Sequence, residues 1–344
     1  MTAIARRRLG RTAVHVTELG FGAAPLGGFR GAVPQADAMG ALDAAWDGGI
    51  RYFDTSPFYG YGRSELRVGA LLRDRPRDAY VISTKVGRVL RPFDAQRRSP
   101  GWRAGGLPFD ADFDYGYDGA MRSVEQSMLR TGIPRFDVLL VHDLDTFIHK
   151  DPDAFEDHYR TALDGALRAL HDLRAQGVTR AIGAGMNEAP TTARLLRDAD
   201  LDCVLLAGRL TLLDQTACDE VVPLCAARGV ALVAGGPFNS GILAAPAVPG
   251  AAYHYATAPD DVVLRARALE RLAAEHGVPL PAAALAFALT CPVVASVIPG
   301  PRSAAEQAQI LDWHRTPIPA AFWRDAVSAG FVAPAAVFTQ GAQG

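Results

Sequence analysis

The chain has 344 residues, of which 49% are hydrophobic and 21% charged, and its formal net charge is −2. That composition furnishes a large buried core, and it leaves neither the basic field that nucleic acid needs nor an acidic tail. No apolar run reaches the ~20 residues of a membrane span, the N-terminus lacks the apolar stretch of a signal peptide, and Cys203, Cys218, Cys225 and Cys291 form no C-x-x-C pair. A cytoplasmic protein with reduced thiols, no metal site, no nucleic-acid partner and no membrane partner is expected.

Ala5–Val16 comes first, with turn residues at Gly10, Arg11 and Thr12, and reads as a short N-terminal hairpin closing one end of the molecule. Thr17–Ala24 then opens a series of eight short apolar runs. Ile50–Thr55, Ala79–Val86, Phe136–His142, Arg180–Met186, Asp202–Ala207, Val230–Gly235 and Val293–Pro299 complete it. Each is dense in Val, Ile, Leu, Ala or Phe, as strands covered on both faces require. Helix-period segments lie between them. Asp118–Thr131 opens on a capping residue, carries Met121, Val124 and Met128 on one face, and ends at Gly132. Asp153–Gln176 repeats Tyr159, Leu163, Leu167, Leu170 and Leu173 at helical spacing, with Gly177 at the place of a left-handed cap. Asp260–His276 does the same with Val263, Ala266, Leu269, Leu272 and Ala273 before Gly277.

Two long connections, Gly87–Tyr117 and Ser240–Pro259, follow strands and are predicted to cover a catalytic face. The residues after Phe331 read as a poorly ordered or loosely docked tail. A strand followed by a helix, eight times over, predicts an α/β chain folded as one (β/α)8 TIM barrel domain over residues 1–344. An open doubly wound sheet would bring a G-x-G-x-x-G turn after its first strand, and none follows Thr17–Ala24.

Barrel enzymes carry reactive groups at the C-terminal ends of their strands. Asp54 ends one apolar run, Lys85 the next and His142 the fourth, while Tyr59 lies in the loop after Asp54. A lysine ending an apolar strand is uncommon, because a buried ammonium needs a partner. The four make a sensible acid–base unit. A phenol ordinarily titrates near ~10, and an adjacent ammonium is expected to lower that value while a carboxylate keeps the ammonium charged. Tyr59 is therefore the expected proton donor or acceptor, Lys85 its tuner, Asp54 the group that holds Lys85, and His142 the group that orients the substrate oxygen.

The run Phe53-Asp54-Thr55-Ser56-Pro57-Phe58-Tyr59-Gly60, with Ser64-Glu65 and Val68-Gly69 after it, resembles the signature of the aldo-keto reductases. Ser83-Thr84-Lys85-Val86-Gly87 resembles the lysine strand of that family, Val141-His142-Asp143 its histidine strand, and Ile298-Pro299-Gly300 its eighth-strand cofactor motif. The resemblance runs from the first strand to the last helix. It implies a (β/α)8 oxidoreductase that moves a hydride between a nicotinamide cofactor and a carbonyl or hydroxyl carbon, with Asp54, Tyr59, Lys85 and His142 catalytic. Other phrases, among them His142-Asp143-Leu144-Asp145 and Phe238-Asn239-Ser240-Gly241, are similar to those of bacterial aldose dehydrogenases. Those enzymes oxidise sugars such as L-fucose at C1 to the lactone, and pyridoxal 4-dehydrogenases, which oxidise a cyclic hemiacetal in the same way, look alike. The resemblance implies that reaction on an aldose, with pyridoxal oxidation or general aldehyde and ketone reduction as alternatives.

It also implies cofactor contacts at Gly22, Ala23, Asp54, Asn187, Gly235, Phe238, Ser240, Gly241, Ile298, Pro299, Gly300, Arg302 and Glu306. The family pattern is incomplete there. Met186 replaces the usual Ser before Asn187, Ala207 and Leu210 stand where Gln and Tyr are common, and Gly235-Gly236 stand where an aromatic ring stacks on nicotinamide, leaving Phe238 as the substitute or as a packing residue. Gly300 replaces a phosphate-reading Lys, and Glu306 disfavours a 2′-phosphate while Arg302 favours one. NAD is the expected cofactor and NADP the alternative. The sequence leaves the oligomeric state open.

Overall fold

The computed structural model describes residues 3–28, 31–93, 105–333 and 336. Eight parallel strands form one sheet: β1 (Phe21–Gly22), β2 (Tyr52–Asp54), β3 (Val81–Val86), β4 (Val138–His142), β5 (Ala181–Met186), β6 (Cys203–Ala207), β7 (Ala231–Gly235) and β8 (Val294–Ile298). Each pairs with its neighbour in chain order. The ring closes where Leu19 bridges Val297 in parallel, with Val297 donating its amide to Glu18 and Gly22 donating to Pro299. The chain is a (β/α)8 barrel with helices outside the strands.

Both faces of each strand are covered, which explains the unbroken apolar runs. In β4, Val138 and Leu140 point into the barrel with Tyr52, Val81, Leu205 and Val233, whereas Leu139 and Val141 join the layer under the helices. Arg6–Arg8 and His15–Thr17 form an antiparallel hairpin. Its Leu9, Val14 and Val16 belong to the interior cluster and close the end of the barrel opposite the catalytic ends of the strands.

Four sequence expectations need correction. Thr17 pairs with Arg6 in the hairpin, so the first barrel strand is shorter than Thr17–Ala24. The helix expected from Asp118 starts at Tyr117, capped by Gly116 with no side-chain bond from Asp118. The segment 153–176 is helical but contains a π turn at Ala162–Leu167 between Pro152–Thr161 and Arg168–Ala175. There Ala166 donates its amide to Tyr115 O (2.9 Å) in the loop beneath, a bond that a wider turn permits. The tail is docked where it is described: Val332 and Ala336 are buried, and Ala333 donates its amide to Gln215 Oε1. The remaining residues beyond 333 lie outside the described residues, as does 94–104 within the first long loop.

Both long connections carry antiparallel ribbons, Arg88–Pro92 with Phe109–Phe113 and Ala252–Tyr253 with Ala256–Thr257. Among the described residues, no single helix is long and apolar enough to cross a membrane.

Candidate active site

Asp54 and Ser83 are register partners on β2 and β3. Two residues further on, Lys85 leaves the end of β3, its stem crossing Gly185 of β5, where an added Cβ would sit 3.2 Å from Lys85 Cε. Lys85 Nζ donates to Asp54 Oδ1 (2.9 Å), Asp54 Oδ2 (2.7 Å) and Thr55 O (2.9 Å). All three ammonium donors thus have acceptors, as burial of a charge demands. Ser83 Oγ adds a 2.7 Å bond to Asp54 Oδ1 and is itself 3.2 Å from Tyr52 OH, so the pair is anchored in the barrel interior.

Tyr59 is carried over this pair by a tight turn. The backbone of Tyr59 and Gly60 packs directly on Gly27, where a Cβ would fall 2.3 Å from Tyr59 C, and Gly60 adopts a φ of +66°. The Tyr59 ring lies edge-on to His142 (5.7 Å between centroids), with Lys85 Nζ 4.7 Å from its centre. The structure therefore brings the four predicted catalytic residues together at one end of the barrel. His142 Nδ1 lies 3.1 Å from Ser56 Oγ and 3.2 Å from Arg88 Nη1.

The electrostatics depart from the expectation for Tyr59. Burial first, then the carboxylates of Asp54 and Asp143, push its phenol well above the ordinary value, with Arg88 opposing. Lys85, bound to Asp54 at 2.7 Å, does not offset them. Burial, together with Arg88 and Lys85, holds His142 well below its usual range, so the imidazole is neutral. Burial would raise Asp143, but His142, Arg88 and the Asn187 bond outweigh it and bring it to about 2. Asp145 goes the other way, to about 6, through burial and the nearby Asp143 charge.

Asn187, at the end of β5, donates through Nδ2 to Asp143 Oδ1 (2.8 Å) and Asp145 Oδ2 (3.2 Å). Among the described residues no donor reaches its Oδ1, which fits a carboxamide-bearing ligand. Gly22 and Ala23 already donate their amides to Pro299 O and Asp54 O, both at 2.9 Å, so they offer close backbone approach and no free N–H. Gly300 abuts Pro25 and Gly22 O, where a Cβ would be 2.7 and 2.9 Å away. Gly235 ends β7, and Ile298 and Pro299 lie at the end of β8. Ser240 and Gly241 both have positive φ, and nothing lies within 4 Å of a Cβ at Gly241. Ser240 Oγ accepts the Tyr255 amide (3.0 Å). Phe238 packs edge-on against Trp313 at 5.7 Å, the contact of a packing residue. Ser303 caps the helix that follows β8, its Oγ accepting from Glu306 N (3.2 Å), and Glu306 Oε2 accepts from Arg302 N (2.7 Å). One oxygen of Glu306 is thus engaged by its own backbone, while the Arg302 side chain is exposed.

Several residues of this site escaped the sequence reading. Arg88, Asp143 and Asp145 make its second layer of charge, and Ser56 and Ser83 hold His142 and Asp54. The available signals were a second cation three residues after Lys85 and two carboxylates within three residues after His142. The ribbon turn His254–Tyr255 was also missed. Both residues have positive φ, and Asp214 and Arg209 fix His254 at 3.0 and 2.6 Å. This places Tyr255 against Phe147 (6.1 Å) and within electrostatic reach of Tyr59 and Asp143. Among the described residues no group of three His, Cys, Asp or Glu could hold a metal. A groove of about 940 Å³ lies elsewhere, beside the hairpin at Arg7 and Glu18, and contains none of these groups.

The chain is similar to pyridoxal 4-dehydrogenase of Microbacterium luteolum, with 45% identity over 96% of this chain and 99% of that protein. It is similar to D-threo-aldose 1-dehydrogenase of a Pseudomonas species, with 39% identity over 92% of this chain and 95% of that protein. Among solved structures it resembles the holo form of an aldo-keto reductase from Bacillus halodurans, with 25% identity, a TM-score of 0.74, and coverage of 98% and 99% of the two chains. The Aldo/keto reductase family matches residues 18–329, and with the barrel and the strand-end residues this identifies the chain as an oxidoreductase belonging to the aldo/keto reductase family.

Proposed function

We propose that this chain is an NAD-dependent dehydrogenase that oxidises the hydroxyl-bearing carbon of a cyclic hemiacetal to a lactone, with pyridoxal as its best substrate. The observation that carries the reading is the convergence of Tyr59, His142 and the Lys85–Asp54 pair beneath an aromatic rim. Phe58 stands 6.4 Å from His142, and Phe147 packs at 6.1 Å on Tyr255, which lies within electrostatic reach of Tyr59. A flat aromatic substrate stacks favourably among such rings. This reading puts pyridoxal before an aldose, and the 45% identity to a pyridoxal 4-dehydrogenase supports that order. An aldose is the second reading, supported by the 39% identity to an aldose dehydrogenase.

In this reading Tyr59, once ionised at alkaline pH, accepts the proton of the hemiacetal hydroxyl. His142, neutral, donates a hydrogen bond to the same oxygen as it gains carbonyl character. Lys85 and Asp54 form the buried ion pair beneath the phenol. The nicotinamide cofactor, when bound, accepts the hydride. Asn187 Oδ1 would hold its carboxamide, and the backbone at Gly22, Gly235, Gly241 and Ile298–Gly300 would line its path to Arg302. The carboxylate of Glu306 favours an unphosphorylated ribose, hence NAD, with NADP favoured by Arg302 alone.

The test is a panel of pyridoxal, L-fucose, other aldoses and simple aldehydes with NAD and NADP, read as absorbance of reduced nicotinamide. Pyridoxal with NAD should give the highest kcat/KM. Efficient reduction of simple aldehydes with no oxidation of pyridoxal or any aldose would reject the proposal. Tyr59→Phe should lower turnover by roughly 10²–10⁴ while leaving cofactor binding intact, and wild-type turnover in that variant would remove Tyr59 from the chemistry.

A further inference from the structure

Two residues past β3, the chain turns through Gly87 (φ +106°) and buries a second cation, Arg88, beside the catalytic end of the barrel. Its guanidinium carbon lies 4.0 Å from the Phe58 ring centre and 4.4 Å from that of Phe113, so two rings confine it. Nη1 reaches Asp143 Oδ2 at 2.7 Å and His142 Nδ1 at 3.2 Å. A guanidinium has only donors and does not deprotonate in proteins. The Nδ1 that faces it must therefore present its lone pair, and the hydrogen of a neutral ring then sits on Nε2.

Asp143 completes the arrangement. It holds a φ of +53°, a left-handed conformation that a residue other than glycine keeps only where its surroundings enforce it. Its Oδ1 accepts from Asn187 Nδ2 at 2.8 Å and lies 3.4 Å from His142 Nε2, too long to capture that hydrogen firmly. The groups around the imidazole are Ser56, Phe58 and Tyr59 from the loop after β2, Lys85 and Arg88 from β3 and its turn, Asp143 from its own strand, and Asn187 after β5. Tyr115 OH binds its carbonyl oxygen at 2.8 Å. Of these, the guanidinium is the fixed donor aimed at Nδ1.

We propose that Arg88 is a positioning residue which, with Asp143, holds His142 with its hydrogen on Nε2 for the substrate oxygen and holds Asn187 with its carboxamide oxygen presented to the cofactor. The inference rests on the proposed role of His142, but its first readout does not. Breaking the Arg88 contact frees Nδ1 and leaves the Asp143 carboxylate unpaired beside the ring. His142 then takes up a proton at higher pH, and Asp143 titrates with it as a coupled pair. Breaking the Asp143 side leaves an unpaired guanidinium and has the opposite effect.

The experiment uses full-length protein, without added cofactor for the spectra and with it for turnover. Long-range ¹⁵N–¹H spectra of the imidazoles are recorded from pH 5 to pH 9, with His142 assigned by its loss in His142→Gln. The wild type should show an Nε2–H ring throughout. Arg88→Met should move the titration of His142 upward in pH and mix its tautomers, and turnover should fall by about 10²-fold, the contribution of one positioned proton donor. Arg88→Lys, which restores charge but not the planar fork, should recover part of it. Asp143→Asn should keep the Nε2–H ring at every pH and raise the KM for the cofactor. A folded Arg88→Met protein with the wild-type spectrum overturns the proposal. Should that variant not fold, Arg88→Gln and Asp143→Asn decide: a His142 titration that enters this pH range in Arg88→Gln while the ring stays Nε2–H in Asp143→Asn supports the proposal, and the same behaviour in both variants overturns it. Wild-type turnover in His142→Gln, with the spectral shifts as expected, would instead reject the catalytic role of His142 and leave the Arg88 contact standing.

Discussion

Lys85 and Asp54 are each almost fully buried and meet at 2.7 Å, and of the pair it is the Asp54 carboxylate that raises the Tyr59 phenol. The acid–base group is governed by whichever partner is left when the other is removed. Lys85→Met exposes Tyr59 to an uncompensated carboxylate, which disfavours phenolate. The rising limb of the oxidation pH profile should therefore move to higher pH. Asp54→Asn leaves the ammonium alone beside the phenol and should move the same limb to lower pH. Profiles of both variants at saturating cofactor test this, and shifts in the same direction would show that the pair does not set the titration. Each variant breaks a buried ion pair and should lose about 3–5 kcal/mol of stability, so folding must be checked at the assay temperature. Asp54, Lys85 and His142 were legible as a set because each ends an apolar strand and a buried lysine there needs a partner, and Tyr59 through the loop motif that follows Asp54. Arg88 was not, because it opens a loop dense in arginine, where most such side chains are solvated. Only the approach of Phe58, Phe113 and Asp143 from distant parts of the chain makes it a buried group.

At the scale of elements, helical periodicity shows which face of 153–176 is buried, but not where its hydrogen bonds go. Tyr159, Leu167, Leu170 and Leu173 lie in the core as the spacing predicts. The π turn between them has no apolar signature, since it arises from an amide drawn to Tyr115 O in another part of the chain. The start of the helix at Tyr117 is a similar case: Asp118 looks like a cap in isolation, yet the chain is already turned by Asp114 Oδ1 accepting from Gly116 N (3.1 Å). Gly165 tests the argument by sign. Helix propensity alone predicts that Gly165→Ala stabilises by about 1 kcal/mol. In the structure the new methyl would meet Tyr115 O at 2.7 Å, Tyr117 N at 2.8 Å and Gly116 C at 2.9 Å, all backbone atoms with little freedom to yield. Net destabilisation of about 1–3 kcal/mol is expected, as for overpacking elsewhere, with Tyr115 and hence the His142 carbonyl displaced. A urea titration in which Gly165→Ala is as stable as the wild type, or more so, would show that this stretch relaxes to an ordinary α-helix.

For the molecule as a whole, eight apolar runs in sequence gave away the barrel because each strand is buried on two faces, whereas its closure was hidden. The seam joins a two-residue strand and the bridge at Leu19 to β8, too short to leave a pattern of its own. Nor does sequence show how charges collected at one end of a barrel alter its stability with pH. His142 is held well below its ordinary value and His149 is lowered to about 4, chiefly by burial. Their stabilising contribution is present above the unfolded value near ~6.5 and is lost as pH falls through the folded values. Asp145 acts in the opposite sense. Its folded value of about 6 exceeds the ordinary carboxylate value of 3.8, so its contribution is present below 3.8 and is lost as pH rises through about 6. Asp145→Asn isolates that single slope, because the histidines titrate alike in both proteins and cancel in the difference. The variant keeps one acceptor for the amides of Asn187 and Ile148, which Asp145 now binds at 2.6 and 3.1 Å, and losing the other bond should cost about 1 kcal/mol at every pH. Against that constant, its stability relative to wild type should climb by about 1.4 kcal/mol per pH unit from pH ~4 to ~6 and then level off. The variant is thus expected to be the less stable protein at pH 4 and the more stable one at pH 7. Urea melts at half-unit pH steps measure the difference directly: a flat line would mean that Asp145 ionises as an ordinary carboxylate, and a falling one that Asn187 and Ile148 stabilise its charge more than burial and Asp143 oppose it.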